Sequence, residues 1–290
     1  MSLRSLLCFI TVCLAVSLVI SCRRSDENLE PAFISINEHS FQSGPGQGSN
    51  STALTEFWCY TDGDILGVVD TPVSLPLLKQ GRQTINVFPG IKNNGMGVSR
   101  IRYPFYTSFD TTLDVVPGET YQLNPRFSYL STANVDADRD FNSGNFFTPG
   151  TSNNGEKDWV SESGFPASGM GCGLFRLPAD AALLHYRDIT SFSLTSGSVA
   201  FMEMDYSCNN TFSVGVFVNQ GGSLIQVPVL YLTPTQTGSD VFPNWNKIYM
   251  DLGMVAKQYP NASTYLLYIE CSRNEASVPV IYLDDIKIVK

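Results

Sequence analysis

Residues 212–219 place the tightest constraint on this chain. Phe212, Val214, Val216 and Val218 alternate with Ser213, Gly215, Phe217 and Asn219. A period of two puts one set on each face of an extended strand, and no helix gathers those residues on one side. The pattern recurs where Ala200, Met202, Met204 and Tyr206 alternate with Glu203 and Asp205. Residues 247–252, 265–270 and 280–288 add further strands. Joined by loops rich in Gly, Pro and Asn, they predict an all-β domain over 131–290, a β-sandwich of jelly-roll type. In that reading Glu203, Asp205 and Glu270 solvate an outer sheet face.

A smaller β-sandwich is predicted over 51–130. Phe57–Thr61 reads as a strand, Asp62-Gly63 as a hairpin turn and Ile65–Gly67 as the returning strand. Pro72 and Pro76 place Val73–Leu77 at a sheet edge. Thr84–Phe88 is the next strand, closed by Pro89-Gly90. Asp62-Gly63, Gly67, Thr71-Pro72, Leu77, Gly81 and Pro89-Gly90 together resemble the PEGA-type repeat, which implies a small immunoglobulin-like sandwich without catalytic residues. The loop Lys92–Gly97 is rich in Gly and Asn, but no helix follows it, so it reads as a hairpin loop rather than a phosphate cradle.

The N-terminus carries an address. Arg4 precedes an apolar run from Leu6 to Ile20, and Leu18-Val19-Ile20-Ser21-Cys22 closes it. The run has signal-peptide length, and Arg23-Arg24 end it short of the roughly 20 apolar residues a membrane span needs. It resembles a bacterial lipobox, which implies removal of residues 1–21 and acylation of Cys22. Asp26-Glu27 resemble the surface-export signal of Bacteroidota lipoproteins. The expected location is the outer membrane, lipid-anchored and at the cell surface, with the periplasmic face as the alternative. Residues 22–50 are expected to form a flexible tether, and 131–140 a charged linker between the sandwiches.

A net charge of −9 argues against a nucleic-acid groove. Cys59, Cys172, Cys208 and Cys271 lie in a compartment where disulfides are allowed, and four cysteines permit three complete pairings.

The late strands, with Trp245-Asn246-Lys247-Ile248-Tyr249 and Tyr282-Leu283-Asp284-Asp285-Ile286, are similar to galactose-binding-like jelly rolls, a group that includes carbohydrate-binding modules. Trp159, beside Asn154 and Asp158 in a glycine-rich stretch, is the candidate stacking residue. It serves equally well as a buried aromatic. Trp245, opening a strand, is expected between the sheets. Asp285 is the candidate ligand for a structural calcium, as jelly-roll modules often hold one. The pair Asp284-Asp285 supplies two groups at most and calcium takes about six to eight oxygens, while consecutive strand residues face opposite ways. Asp136, Asp138 and Asp140 lack the remainder of a calcium loop.

Catalysis has little to draw on. His39 and His185 are the two histidines, and no Gly-x-Ser-x-Gly elbow is present. The expected function is a non-enzymatic surface module that binds a glycan or mediates adhesion. The alternative is an accessory subunit of an outer-membrane secretion, uptake or assembly complex, with a protein partner, and a carbohydrate-active enzyme is the third and disfavoured reading.

Overall fold

The computed structural model describes residues 30–236, 240–273 and 278–290. The signal segment and Cys22 lie outside the described residues. Among those described, no helix is long and apolar enough to cross a membrane.

The chain is all-β. Its first half contains β1 (Ala32–Ile36), β2 (Ser40–Phe41), β3 (Glu56–Thr61), β4 (Asp64–Val69), β5 (Val73–Leu77), β6 (Gly81–Lys92), β7 (Arg100–Arg102), β8 (Phe109–Val115), β9 (Thr120–Leu123) and β10 (Arg126–Phe127). A β5-β1-β9 sheet and a β2-β10 pair stand against a sheet ordered β4-β3-β6-β7, with β8 on β6. Ile34, Ile36, Phe57, Cys59, Leu77, Ile85, Val87 and Phe127 share the core between them.

Local chemistry accounts for several of these elements. Asp62 and Gly63 both take positive φ, the backbone a two-residue hairpin needs, and join β3 to β4. β5, with Pro76 inside it, is an edge strand as its prolines require. β6 corrects the expected stop at Pro89-Gly90, because Pro89 pairs with Phe57 and the strand runs on to Lys92.

The second half contains β11 (Val135–Arg139), β12 (Phe147–Pro149), β13 (Glu156–Val160), β14 (Cys172–Arg176), β15 (Leu183–Asp188), β16 (Phe201–Cys208), β17 (Phe212–Gln220), β18 (Ser223–Leu232), β19 (Asn246–Asp251), the short helix α1 (Gly253–Gln258), β20 (Thr264–Ser272) and β21 (Val280–Val289). One sheet runs β13-β14-β21-β16-β19, with β11 on β21, and the other β12-β15-β20-β17-β18. Met202, Met204, Val214, Val216, Leu267, Ile269, Leu283 and Ile286 fill the space between them.

Three expectations are corrected here. Residues 30–50 are folded rather than a tether: β1 is the central strand of its sheet, and Ile34 and Ile36 are fully buried. Residues 131–140 are not a free linker, since Val135 pairs with Val289 and the buried Arg139 forms an ion pair with the buried Asp188. Glu203 and Asp205 do not face water. The first sandwich covers their face of the second, leaving Glu203 0% and Asp205 2% exposed.

That covered face holds the seam between the halves. Phe201, Tyr249 and Val289 of the second sandwich belong to the first sandwich's core. Glu203 accepts hydrogen bonds from the hydroxyls of Tyr103 (2.7 Å) and Tyr129 (2.9 Å). Lys247 stands 3.5 Å from Asp205 and 3.3 Å from Asp285, and Lys287 stands 3.2 Å from Asp285 and donates to the Ser49 carbonyl. Asn94, in the 92–97 loop, donates its N–H to the Tyr249 carbonyl and accepts that of Asp251. Glu203, Asp205, Asp285, Lys247 and Lys287 are tolerated here because each has an opposite charge within 4 Å and at least one hydrogen bond.

A bulge in β21 completes the seam. Glu203 pairs with Lys287 but Asp205 pairs with Asp284, so β21 carries one extra residue, and Asp285 takes φ 44°. Consecutive residues therefore do not face opposite ways. Asp284 receives the Ser168 N–H and Asp285 receives the Ser49 N–H, both from segments covering this face.

Candidate ligand-binding groove

The outer face of the β12-β15-β20-β17-β18 sheet presents a different surface. Val214, Val216 and Val218 of β17 point into the core, so Ser213, Gly215, Phe217 and Asn219 point out. Register sets their neighbours. Phe217 lies beside Gln226 of β18, Gly215 beside Tyr268 of β20, and His185 of β15 opposite Glu270.

A side chain at position 215 would bring its Cβ within 2.6 Å of the Tyr268 ring, so that glycine lets the tyrosine lie across β17. Phe217 and Tyr268 have ring centroids 5.1 Å apart, and His185 is 5.7 Å from each. Three strands thus supply one aromatic cluster, with Phe217 and His185 at the surface of the sheet and Tyr268 buried against them. Above it lies a groove of about 540 Å³, lined by His185, Arg187, Phe217, Leu224, Gln226 and Glu270, with residues 149–152 as one wall.

The polar groups are ordered along the rings. Gln226 Nε2 donates to Glu270 Oε2 at 3.0 Å, giving a planar amide–carboxylate pair beside the cluster. Burial pushes the Tyr268 hydroxyl above the ordinary tyrosine range, with Gln226 and Ser213 pulling the other way. His185 is 7% exposed, and its Nε2 is covered without a hydrogen-bond partner. Apolar ring faces beside planar donors and acceptors can stack a sugar ring and bond its hydroxyls. Glu270 is the one carboxylate lining the groove, whereas hydrolysis by a carboxylate pair needs two.

In the sequence Phe217 enters as one of the residues alternating with the valines of this strand, and not as a candidate site residue. The signal was present, since Phe217 is the aromatic residue among Ser213, Gly215 and Asn219. The candidates read from the sequence are not brought together. Trp159 lies in β13 paired with Gly173, and its indole N–H donates to the Phe141 carbonyl. Gly171 sits against that indole, where a Cβ would fall 2.2 Å from Nε1. Trp159 lines a separate hollow of about 700 Å³ with Asn142, Ser161, Ser168 and Met170. Asp158 caps the backbone N–H of Trp159 at 2.8 Å, while the Asn154 N–H bonds the Leu183 carbonyl, and neither lines that hollow. Trp245 is not between the sheets: its indole N–H donates to the Phe165 carbonyl at 2.9 Å, and its ring meets Tyr282.

Asp285 does not fit a calcium ligand. Burial pushes its carboxyl up, but Lys247, Lys287 and Ser49 outweigh that and hold it below the ordinary aspartate range. Two ammonium groups already supply the positive charge. Among the described residues no group of three or more His, Cys, Asp or Glu side chains could hold a metal ion. Cys59, Cys172, Cys208 and Cys271 are all buried free thiols.

No family model matches this chain, and no curated protein matches it. Solved structures similar to it include one described by the promiscuous specificity of carbohydrate-binding modules of the β-sandwich superfamily, at 12% identity over 80% of this chain and 84% of that one, with a TM-score of 0.38. Another is CBM27-1 of Caldicellulosiruptor saccharolyticus in complex with mannohexaose, at 12% identity over 55% of this chain and 97% of that one, TM-score 0.36. A third is TmCBM61 in complex with β-1,4-galactotriose, at 12% identity over 52% of this chain and 94% of that one, TM-score 0.34.

Proposed function

We propose that this protein is a non-catalytic glycan-binding module, tethered to the outer membrane through a lipid on Cys22 and exposed at the cell surface. Phe217 is the observation that carries the binding part of this reading. It stands outward in a polar register and joins His185 and Tyr268 in a ring cluster flanked by Gln226 and Glu270. The lipobox-like residues 18–22 support the tether.

The test is a glycan array probed with the full chain, its Phe217→Ala form and its Gln226→Ala form. Retention of one or more glycans by the parent, weakened in both variants, is the expected result. A blank array would remove the reading.

A second reading, an accessory subunit with a protein partner, is favoured by the edge strand β18, where Leu224, Ile225 and Tyr231 are 46%, 37% and 71% exposed. Recovery of a stoichiometric outer-membrane protein with the lipidated chain, unaffected by Phe217→Ala, would favour it over the glycan reading.

A further inference from the structure

We propose that the glycan held in the groove carries a carboxylate, and that Arg187 is the residue that reads it. The inference rests on the groove being a glycan site.

Arg187 lines the groove half-buried on β15. Among the described residues its side chain makes no hydrogen bond or ion pair. Arg139 is held by Asp188 and Arg100 by Glu56 and Asp70, while Arg82, Arg126 and Arg176, which also lack such a partner, are exposed; Arg187 is half-buried in the groove. The chain has 27 acidic residues against 18 lysines and arginines, so an arginine without a carboxylate is not short of candidates.

Position explains why it has none. Its register partners are Thr148 on β12 and Tyr268 on β20, and the adjoining wall is Pro149, Gly150, Thr151 and Ser152. Glu270, the groove's carboxylate, stands opposite His185 and is engaged by the Gln226 amide. The guanidinium is therefore left facing the groove side of the sheet with its fork unused.

A neutral sugar needs both donors and acceptors, which the Gln226 amide and the acceptor-only Glu270 carboxylate supply between them. A guanidinium offers five donors and no acceptor in one plane, which matches a carboxylate through two parallel bonds. A uronic or sialic acid unit lying on the Phe217 ring would present such a group beside Arg187.

The experiment measures binding of the full chain to polygalacturonate, alginate, hyaluronan and sialyllactose, each beside its methyl ester, with dextran sulfate as a non-carboxylate anion. The parent, Arg187→Gln and Phe217→Ala forms are compared. At least one acid form should bind about tenfold tighter than its ester. Arg187→Gln should erase that difference while leaving ester binding intact, and Phe217→Ala should weaken both. Equal binding of acid and ester, or a preference that survives Arg187→Gln, would overturn the inference while Phe217-dependent binding kept the glycan reading. Dextran sulfate bound as tightly and with the same Arg187 dependence would replace carboxylate recognition by general anion binding. Failure of every glycan, acid or ester, would remove the glycan reading and this inference with it.

Discussion

Glu203 accepts a 2.7 Å hydrogen bond from the hydroxyl of Tyr103, joining β16 of the second sandwich to the first. Both residues are buried, and burial beside that carboxylate pushes the tyrosine hydroxyl well above its ordinary range. Removing Glu203 leaves the buried hydroxyls of Tyr103 and Tyr129 without their acceptor, at a cost of about 1–3 kcal/mol each. Glu203→Ala should lose stability on that scale. Because the seam belongs to both cores, calorimetry of the parent should show one transition for the described fold. Two well-separated transitions in the parent would contradict a shared core.

Asp284 gives a pH dependence. Burial raises its carboxyl from 3.8 to about 7, outweighing the N–H groups of Ser168 and Asp285. A carboxyl raised in the folded state binds protons more tightly there. Its stabilisation is full below about pH 4 and is lost as pH rises through about 7. Asp284→Asn keeps a carbonyl for the Ser168 N–H and cannot ionise. Its melting temperature should exceed the parent's by roughly 5 °C at pH 8, with the gap closing toward pH 4. A pH-independent gap would place the effect elsewhere.

Trp159 should behave as a structural residue. Its indole is tied to the Phe141 carbonyl and packed on Gly171. Trp159→Ala should cost about 2–3 kcal/mol and leave glycan affinity within twofold of the parent. Urea unfolding alongside a binding titration separates the two effects, and a large loss of affinity without loss of stability would return Trp159 to the ligand site.

The four cysteines among the described residues should be inert in the folded protein. Burial pushes the thiols of Cys59, Cys172 and Cys208 up to about 12, and that of Cys271 above its ordinary range. The thiolate is the reactive form, so iodoacetamide at pH 8 should leave all four unmodified until denaturant is added. Mass spectrometry of the native reaction is the check, and rapid labelling of any of the four would contradict its burial.

The strands that dominate the fold were legible wherever alternation ran long, as in β16, β17, β20 and β21. Pro76 marked an edge and Asp62-Gly63 a hairpin, because both act through local backbone chemistry. Non-local partners were not legible. β1 is a short run whose parallel partner, β9, lies far along the chain, so residues 30–50 read as a tether. Glu203 and Asp205 alternate as an exposed face would, and only the arrival of the first sandwich buries them. The β21 bulge depends on the register with β16, which the sequence of one strand does not contain. At the groove, Phe217 was visible in the outward register, but its meaning came from His185 and Tyr268 on other strands.

The most direct test of the account is isothermal titration of the full chain with the tightest glycan from the array, run beside Phe217→Ala and Trp159→Ala. The account predicts that Phe217→Ala weakens binding by at least about tenfold, while Trp159→Ala, still folded, binds as the parent does. The reverse pattern, with Phe217→Ala unchanged and Trp159→Ala silent, would contradict the groove and move the site to the hollow beside β13.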